Sequence, residues 1–235
     1  MKILVIIPAY NEEENIRDVV RNLKAEAPDV DYIIVNDCSK DDTEAICIEE
    51  KYRYLSLPSN LGIGGGVQTG YRYALRNDYD IAIQMDGDGQ HDPKYLQALI
   101  TPLINREADI AIGSRYITRE GFQSTGLRRL GIGVLSELIY WISGVRVRDV
   151  TSGYRAVNRR FIDIYSKNYP QDYPEPEAIV AAALRHAKIK EVPVVMRERQ
   201  GGASSISSWK SIYYMVKVSI SILIYRITFD KKAEN

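Results

Sequence analysis

The chain is poor in cysteine: only Cys38 and Cys47 occur among its 235 residues. One sits at the end of an apolar run and the other inside a helical stretch, so they form neither a zinc-ligand spacing nor a disulfide framework, and a reducing cytoplasm is the simplest setting. Net charge is missing as well. The 31 basic and 31 acidic residues cancel. No global field favours DNA or RNA and no nucleic-acid partner is expected, although local basic patches remain able to meet phosphate or an anionic membrane. Long apolar runs are also absent, with none reaching the roughly 18 to 20 residues of a membrane span. The nearest approach, "SIYYMVKVSISILIY" at 211–225, is broken by Lys217 and three serines. The opening "MKILVIIPAYNEE" has no small-residue cleavage site and runs at once into acidic residues, so it is expected to be a strand.

What is present suffices for a sizeable core. Hydrophobic residues make up 45% of the chain, and this length suits one large domain or one domain with a tail. "ILVII" (3–7) and "YIIV" (32–35) are short β-branched runs, and Ile16, Val19, Val20 and Leu23 lie between them at helical spacing, which makes a β-α-β unit. The pattern recurs. "RYLSLP" closes a third strand near Pro58, "GIGGGVQTGYRYALRN" begins glycine-rich and turns helical, and "DIAIQMD" is a fourth strand. A helix over 93–105 then precedes a fifth strand over 109–114. Such alternation implies an α/β fold whose mainly parallel sheet is covered on both faces and collects ligands at the strands' carboxyl ends.

The residues at those ends are "PAYNEE", "NDCSKDD", "DGDGQHD" and "GSR". Turns and helix N-caps explain one such stop, with Asp41 or Asp42 capping the next helix. Capping does not ask for Asp-x-Asp-x-Gln after a buried strand. Asp86, Asp88 and Asp92 held close together repel one another and resist desolvation, which points to a compensating cation. "GIGGGVQTG" (62–70) does not follow the first strand as a dinucleotide fingerprint should. Glycines that let a helix pack on the sheet, or a loop approach a ligand, account for it better.

The pieces "IPAYNEEENI", "VNDCSKDDT", "NLGIGGGVQTGY", "QMDGDGQHDP", "GSR", "DVTSGYRA" and "RQGGASSI" run in this order across residues 3–206. Together they resemble the family 2 glycosyltransferases, in the branch of dolichyl-phosphate mannose synthases and bacterial undecaprenyl-phosphate sugar transferases. The resemblance implies a nucleotide-diphospho-sugar transferase (GT-A) fold over 1–206, a UDP- or GDP-linked sugar donor, a Mg²⁺ or Mn²⁺ ion, inversion at the anomeric carbon and a polyprenyl phosphate acceptor. By position it implies that Pro8, Tyr10, Glu12 and Asp37 form the nucleoside pocket, with Asp37 accepting hydrogen bonds from the base. Asp86, Asp88 and Gln90 would hold the metal, Asp86 also bordering the donor. Arg199 and Ser204, with the backbone around Gly201 and Gly202, would close over the diphosphate. Hard oxygen ligands suit such an ion, which stabilises charge on a departing diphosphate.

A lipid phosphate is already an anion at neutral pH, so its approach calls for cations and not for a base. Arg115, Arg128 or Arg129, and Arg155 are the candidates, because guanidinium groups bind phosphate oxygens in pairs. Asp149 falls where other family members place a base; it is expected to orient the acceptor loop or a neighbouring arginine, with its catalytic part left open. Asp88, Asp149, Arg115 and Arg155 are thus the expected catalytic set.

Leu127, Leu130, Val134, Leu138, Ile139 and Ile142 form one broad helical stripe with arginines at both ends, either resting on an anionic membrane or facing the core. Over 207–235 a tryptophan-tyrosine-lysine border surrounds an apolar centre and resembles an interfacial anchor. This amphipathic C-terminal helix is expected to dock on the membrane surface, on an integral membrane subunit or on a second copy in a homo-oligomer. Many bacterial relatives continue into two transmembrane helices whereas this chain stops at Asn235. The expectation is a peripheral enzyme at the cytoplasmic, inner face of the plasma membrane, held there by its own helices or by a separate subunit. Two other functions compete: saccharide extension with Asp149 as general base, and a non-catalytic sugar-nucleotide scaffold.

Overall fold

The structure, a computed structural model, describes residues 1–118, 120–121, 126–197 and 208–233, and of these the side chains of all but 127–128, 208–214 and 230–233. Among them, seven strands form one sheet in the order β3-β2-β1-β4-β6-β5-β7. The strands are β1 (Ile3–Ala9), β2 (Asp31–Asn36), β3 (Tyr54–Ser56), β4 (Ile81–Gln84), β5 (Ile110–Ser114), β6 (Arg155–Asn158) and β7 (Ile189–Pro193). In β1 the side chains alternate, Leu4 and Ile6 entering one core and Val5 and Ile7 the other, so a parallel strand buried on both faces reads as an unbroken apolar run. Helices α1 (Ile16–Glu26), α2 (Thr43–Glu49) and α4 (Leu96–Ile104) cover the Val5 face. The opposite face carries α3 (Gly62–Arg76), α5 (Gly126–Ser143), α6 (Arg159–Lys167), α7 (Pro174–Ala183) and α8 (Ser208–Ala233).

The glycine run is a close-packing device. A Cβ at Gly70 would collide with the Ile6 side chain of β1, and one at Gly64 with the backbone of Pro170 and Gln171. α3 therefore lies directly on the sheet.

One strand departs from the parallel pattern. β6 runs antiparallel to both neighbours, with Gln84 and Ile112 each in register with Arg155. Its four residues are too few to display a period, so nothing in the sequence announces it. The reversal has a functional consequence: the start of β6, and with it the segment 149–155, arrives at the edge where β1, β2, β4 and β5 end.

The apolar stripe expected on α5 is split between two faces. Ile132, Leu135 and Ile139 are buried, whereas Leu130 (68% exposed), Val134 (61%) and Trp141 (84%) face outward. The Leu127 side chain lies outside the described residues. α8 packs Val218 and Ile222 into the same core as α5 and α7 and leaves Val216, Ile220, Leu223, Ile224 and Ile227 exposed. Among the described residues no helix is long and apolar enough to cross a membrane.

Candidate active site

The carboxyl ends of β1, β2 and β4 open onto a cavity of about 390 Å³ lined by Pro8, Tyr10, Glu12, Asp37, Asp86 and Asp88, together with Asn60 and with Ile63 and Gly66 of α3. The first six, all predicted from the sequence, share one space. Asp37 follows β2, where its Oδ1 accepts the Leu61 N–H at 2.7 Å. Burial lifts its carboxyl above the ordinary 3.8, opposed by the N–H groups of Leu61 and Gly62. A carboxylate with so little water is a ready acceptor for the N–H groups of a ligand. Glu12 is fixed from both ends, its N–H donating to Thr43 Oγ1 and its Oε2 accepting from Asn15 Nδ2, each at 2.8 Å. Tyr10 stands exposed at the mouth.

β4 delivers Asp86 to the same rim. Gln84 Nε2 donates to Asp86 Oδ1 at 3.1 Å, and the Asp86 N–H donates to His91 Nδ1 at 3.0 Å. Asp88 Oδ1 accepts the Gln90 N–H at 3.1 Å, the local turn that short acidic side chains favour. Behind this loop the His91 ring stacks on Tyr154, with centroids 4.7 Å apart and planes at 9°. The Tyr154 hydroxyl in turn donates to the Asp92 carbonyl at 2.9 Å. A Cβ at position 153 would lie 2.9 Å from both Asp86 Oδ2 and Gln84 Nε2, so any other residue there displaces those side chains. Asp92 does not join the other two acids; it is buried, and its Oδ2 accepts from Arg197 Nε at 3.1 Å and Nη2 at 2.8 Å.

Among the described residues no group of three or more His, Cys, Asp and Glu side chains gathers around one point. The rim instead offers two carboxylates on one cavity wall, with the Gln90 amide in the same loop. Mg²⁺ is commonly held by one or two carboxylates while water and substrate phosphates complete its shell, and Mn²⁺ accepts the same hard oxygens. The donor set therefore fits an ion that binds together with a diphosphate, and does not fit a closed protein cage. Gln84 Oε1, buried beside Asp86 without a hydrogen-bond partner among the described residues, marks the polarity of this corner.

Arg115, next after β5, forms a buried bidentate pair with Asp149. Nε reaches Oδ2 and Nη2 reaches Oδ1, both at 2.8 Å, and the Arg115 backbone N–H adds a third bond to Oδ2 at 3.0 Å. Burial pulls the guanidinium pKa down, but the hydrogen bonds and charge of Asp149 outweigh it and the net shift is upward. Asp149 is 0% exposed. Buried and gripped through both oxygens, it holds an arginine and shows no surface to an acceptor hydroxyl.

Arg155 differs from its expected place facing an acceptor phosphate. It is buried, and its Nε, Nη1 and Nη2 donate to the carbonyls of Ser152 (2.7 Å), Glu175 (2.8 Å) and Val150 (3.4 Å). A guanidinium so occupied fastens the 149–155 segment to α7. Arg129, in contrast, borders open space: with Tyr116, Ser136, Arg146 and Arg148 it lines a groove of about 590 Å³ beside α5. The Arg128 side chain and residues Arg199, Gly201, Gly202 and Ser204 lie outside the described residues.

Several residues here were not among those predicted. Arg146 and Arg148 share the groove, and the clue was the pair of arginines in "VRVRD". Gln84, His91, Gly153 and Tyr154 surround Asp86, yet inside their motifs they look like ordinary strand, turn and core residues. Gly153 and Tyr154 reach the other two through the reversed β6, for which no sequence signal exists.

A family model described as Glycosyl transferase family 2 matches residues 4–164. The chain is 31% identical over 229 residues to polyprenol monophosphomannose synthase of Mycolicibacterium smegmatis, covering 92% of this chain and 85% of that one. It is 32% identical over 220 residues to undecaprenyl-phosphate mannosyltransferase of Micrococcus luteus, covering 88% of each. It is 33% identical over 212 residues to the UDP-N-acetylglucosamine–dolichyl-phosphate N-acetylglucosaminyltransferase of Methanococcus voltae, covering 82% and 84%. Among solved structures, glucosyl-3-phosphoglycerate synthase of Mycobacterium tuberculosis, crystallised with Mn²⁺, UDP and glucosyl-3-phosphoglycerate, matches with a TM-score of 0.69 at 21% identity over 96% of this chain and 79% of that one. That likeness shows a shared fold.

Proposed function

Because the chain belongs to glycosyl transferase family 2 and has the GT-A fold, we propose that it transfers a sugar from a UDP- or GDP-linked donor to a polyprenyl phosphate, with inversion, at the inner face of the plasma membrane. The observation that carries this reading is the arginine-lined groove along α5, on the helix that also exposes Leu130, Val134 and Trp141. A lipid phosphate needs both features, cations for its head and apolar surface beside its chain. A saccharide acceptor needs neither, and it needs a base that Asp149, tied to Arg115, does not offer. The names of the relatives from Mycolicibacterium, Micrococcus and Methanococcus support the same acceptor class.

In this reading Pro8, Tyr10, Glu12 and Asp37 hold the nucleoside, Asp37 accepting N–H groups of the base. Asp86, Asp88 and Gln90 hold Mg²⁺ or Mn²⁺, which when bound neutralises the charge growing on the departing diphosphate. Arg199 and Ser204 add donors to that diphosphate. Arg129 and its neighbour Arg128 receive the acceptor phosphate, and the Arg115–Asp149 pair orders the chain at the end of β5. An acceptor oxygen bonds to the anomeric carbon as the bond to the diphosphate breaks, and the electron pair departs with the diphosphate through an oxocarbenium-like transition state. No proton has to be removed. Positioning and charge screening supply the acceleration. The 207–235 segment, largely α8, serves as the docking element, toward lipid, a membrane subunit or a second copy.

A transfer assay offering labelled sugar nucleotides with a polyprenyl phosphate and a saccharide side by side tests the reading. Label is expected in the lipid; label in the saccharide alone overturns it, and any transfer excludes a purely binding scaffold.

A further inference from the structure

We propose that His91 and Gln84 are positioning residues that hold Asp86 in its ion-binding orientation before the ion arrives. This rests on the assignment of Asp86 as a metal ligand made above. Asp86 is gripped on two sides. His91 Nδ1 accepts the Asp86 backbone N–H at 3.0 Å, which fixes the ring proton on Nε2, 3.9 Å from Asp86 Oδ2. The ring cannot tilt away, because its face lies flat on Tyr154 and the Tyr154 hydroxyl is tied to the Asp92 carbonyl. On the other side Gln84 Nε2 donates to Asp86 Oδ1, and Gly153 lets the backbone of the reversed segment close up against both side chains.

The state of Gln84 gives a second line of support. Its side chain is fully buried and its Oε1 has no hydrogen-bond partner among the described residues. An unsatisfied buried oxygen lowers stability, and an apolar residue of similar length would avoid that penalty. The amide stands where its N–H₂ end meets a carboxylate. A ligand held in place loses little freedom when the ion binds, and such outer partners typically contribute about 10- to 100-fold in metal affinity.

Three variants separate positioning from mere packing. His91→Phe keeps the ring stacked on Tyr154 but has no acceptor, His91→Asn restores an acceptor oxygen near the place of Nδ1, and Gln84→Met keeps length without a donor. Free Mn²⁺ is measured by electron paramagnetic resonance during titration of the full chain with UDP present and, separately, with GDP, and metal-free melting curves report the fold. His91→Phe and Gln84→Met are expected to melt cooperatively and to bind Mn²⁺ about tenfold more weakly, with His91→Asn recovering part of the loss. In transfer assays the Mn²⁺ concentration for half-maximal rate should rise by more than kcat falls. Cooperatively melting His91→Phe and Gln84→Met proteins that bind Mn²⁺ as tightly as wild type overturn the inference alone, as does a His91→Asn protein no better than His91→Phe. A wild-type protein that retains no Mn²⁺ with either nucleotide overturns the metal assignment itself, and the inference with it.

Discussion

Asp37 carries a carboxylate that its surroundings work against, since burial lifts its pKa above the ordinary 3.8 despite two opposing backbone N–H groups. Between the unfolded and the raised folded value, the folded protein binds more protons than the unfolded chain. The group's contribution to stability is therefore present below 3.8 and is lost as pH rises through the folded pKa. At neutral pH a charged Asp37 costs stability, which is intelligible if its lone pairs serve a base. Asp37→Asn keeps an oxygen for the Leu61 N–H and removes the charge. Calorimetry across pH should show a higher melting temperature than wild type at pH 7, with the difference closing in the acid range. Nucleotide affinity should fall about tenfold, the size of one lost charge-assisted hydrogen bond. A variant that binds nucleotide normally would remove Asp37 from the donor site. Asp149 is the contrasting case: its burial is deeper, and Arg115 meets it with a bidentate pair.

At the scale of elements, Gly70 of α3 and Gly133 of α5 stand in opposite surroundings. A Cβ at Gly70 of α3 would meet Ile6 of β1, whereas one at Gly133 of α5 would meet nothing within 4 Å. Gly70→Ala is expected to lose about 1–3 kcal/mol through overpacking, and Gly133→Ala to gain about 0.5–1 kcal/mol from helix propensity; urea unfolding midpoints measure both. The buried strands β1, β2, β4 and β5 are legible in the sequence because each is an apolar run, and α1 is legible because Ile16, Val19, Val20 and Leu23 repeat at helical spacing. β6 is not, being four residues long. β7 lies at the sheet edge and mixes exposed Lys190 with buried Val192, and α7 is buried along nearly every residue from Ala178 to Ala183, so neither presents a clear period. The same limit applies to the site. Motifs at strand ends reveal which residues share the rim, as Pro8, Asp37, Asp86 and Asp88 do, but not which cross the sheet to meet. Tyr154 beneath His91, and Arg155 turned inward onto carbonyls, follow from a strand reversal that no local pattern encodes.

For the whole molecule, the proposed donor site lies at the carboxyl edge of the sheet and the proposed acceptor site on the α5 side, where apolar side chains and Arg129, Arg146 and Arg148 are neighbours. A surface of this kind should bind vesicles of anionic phospholipid, weaken as salt rises and bind neutral vesicles poorly. Cosedimentation should show that replacing Leu130 and Trp141 together by serine reduces binding several-fold; binding unchanged by that replacement would move the membrane contact elsewhere. The central claim is that Asp86 and Asp88 assemble the ion that makes the diphosphate a leaving group. It is tested most directly by comparing Mn²⁺-dependent sugar transfer to polyprenyl phosphate in the wild-type and Asp88→Asn proteins, each first stripped by chelator. The account predicts that stripping stops wild-type transfer, that added Mn²⁺ restores it, and that Asp88→Asn remains at least about a hundredfold slower at an unchanged melting temperature. Transfer by chelator-treated Asp88→Asn at the wild-type rate would contradict it.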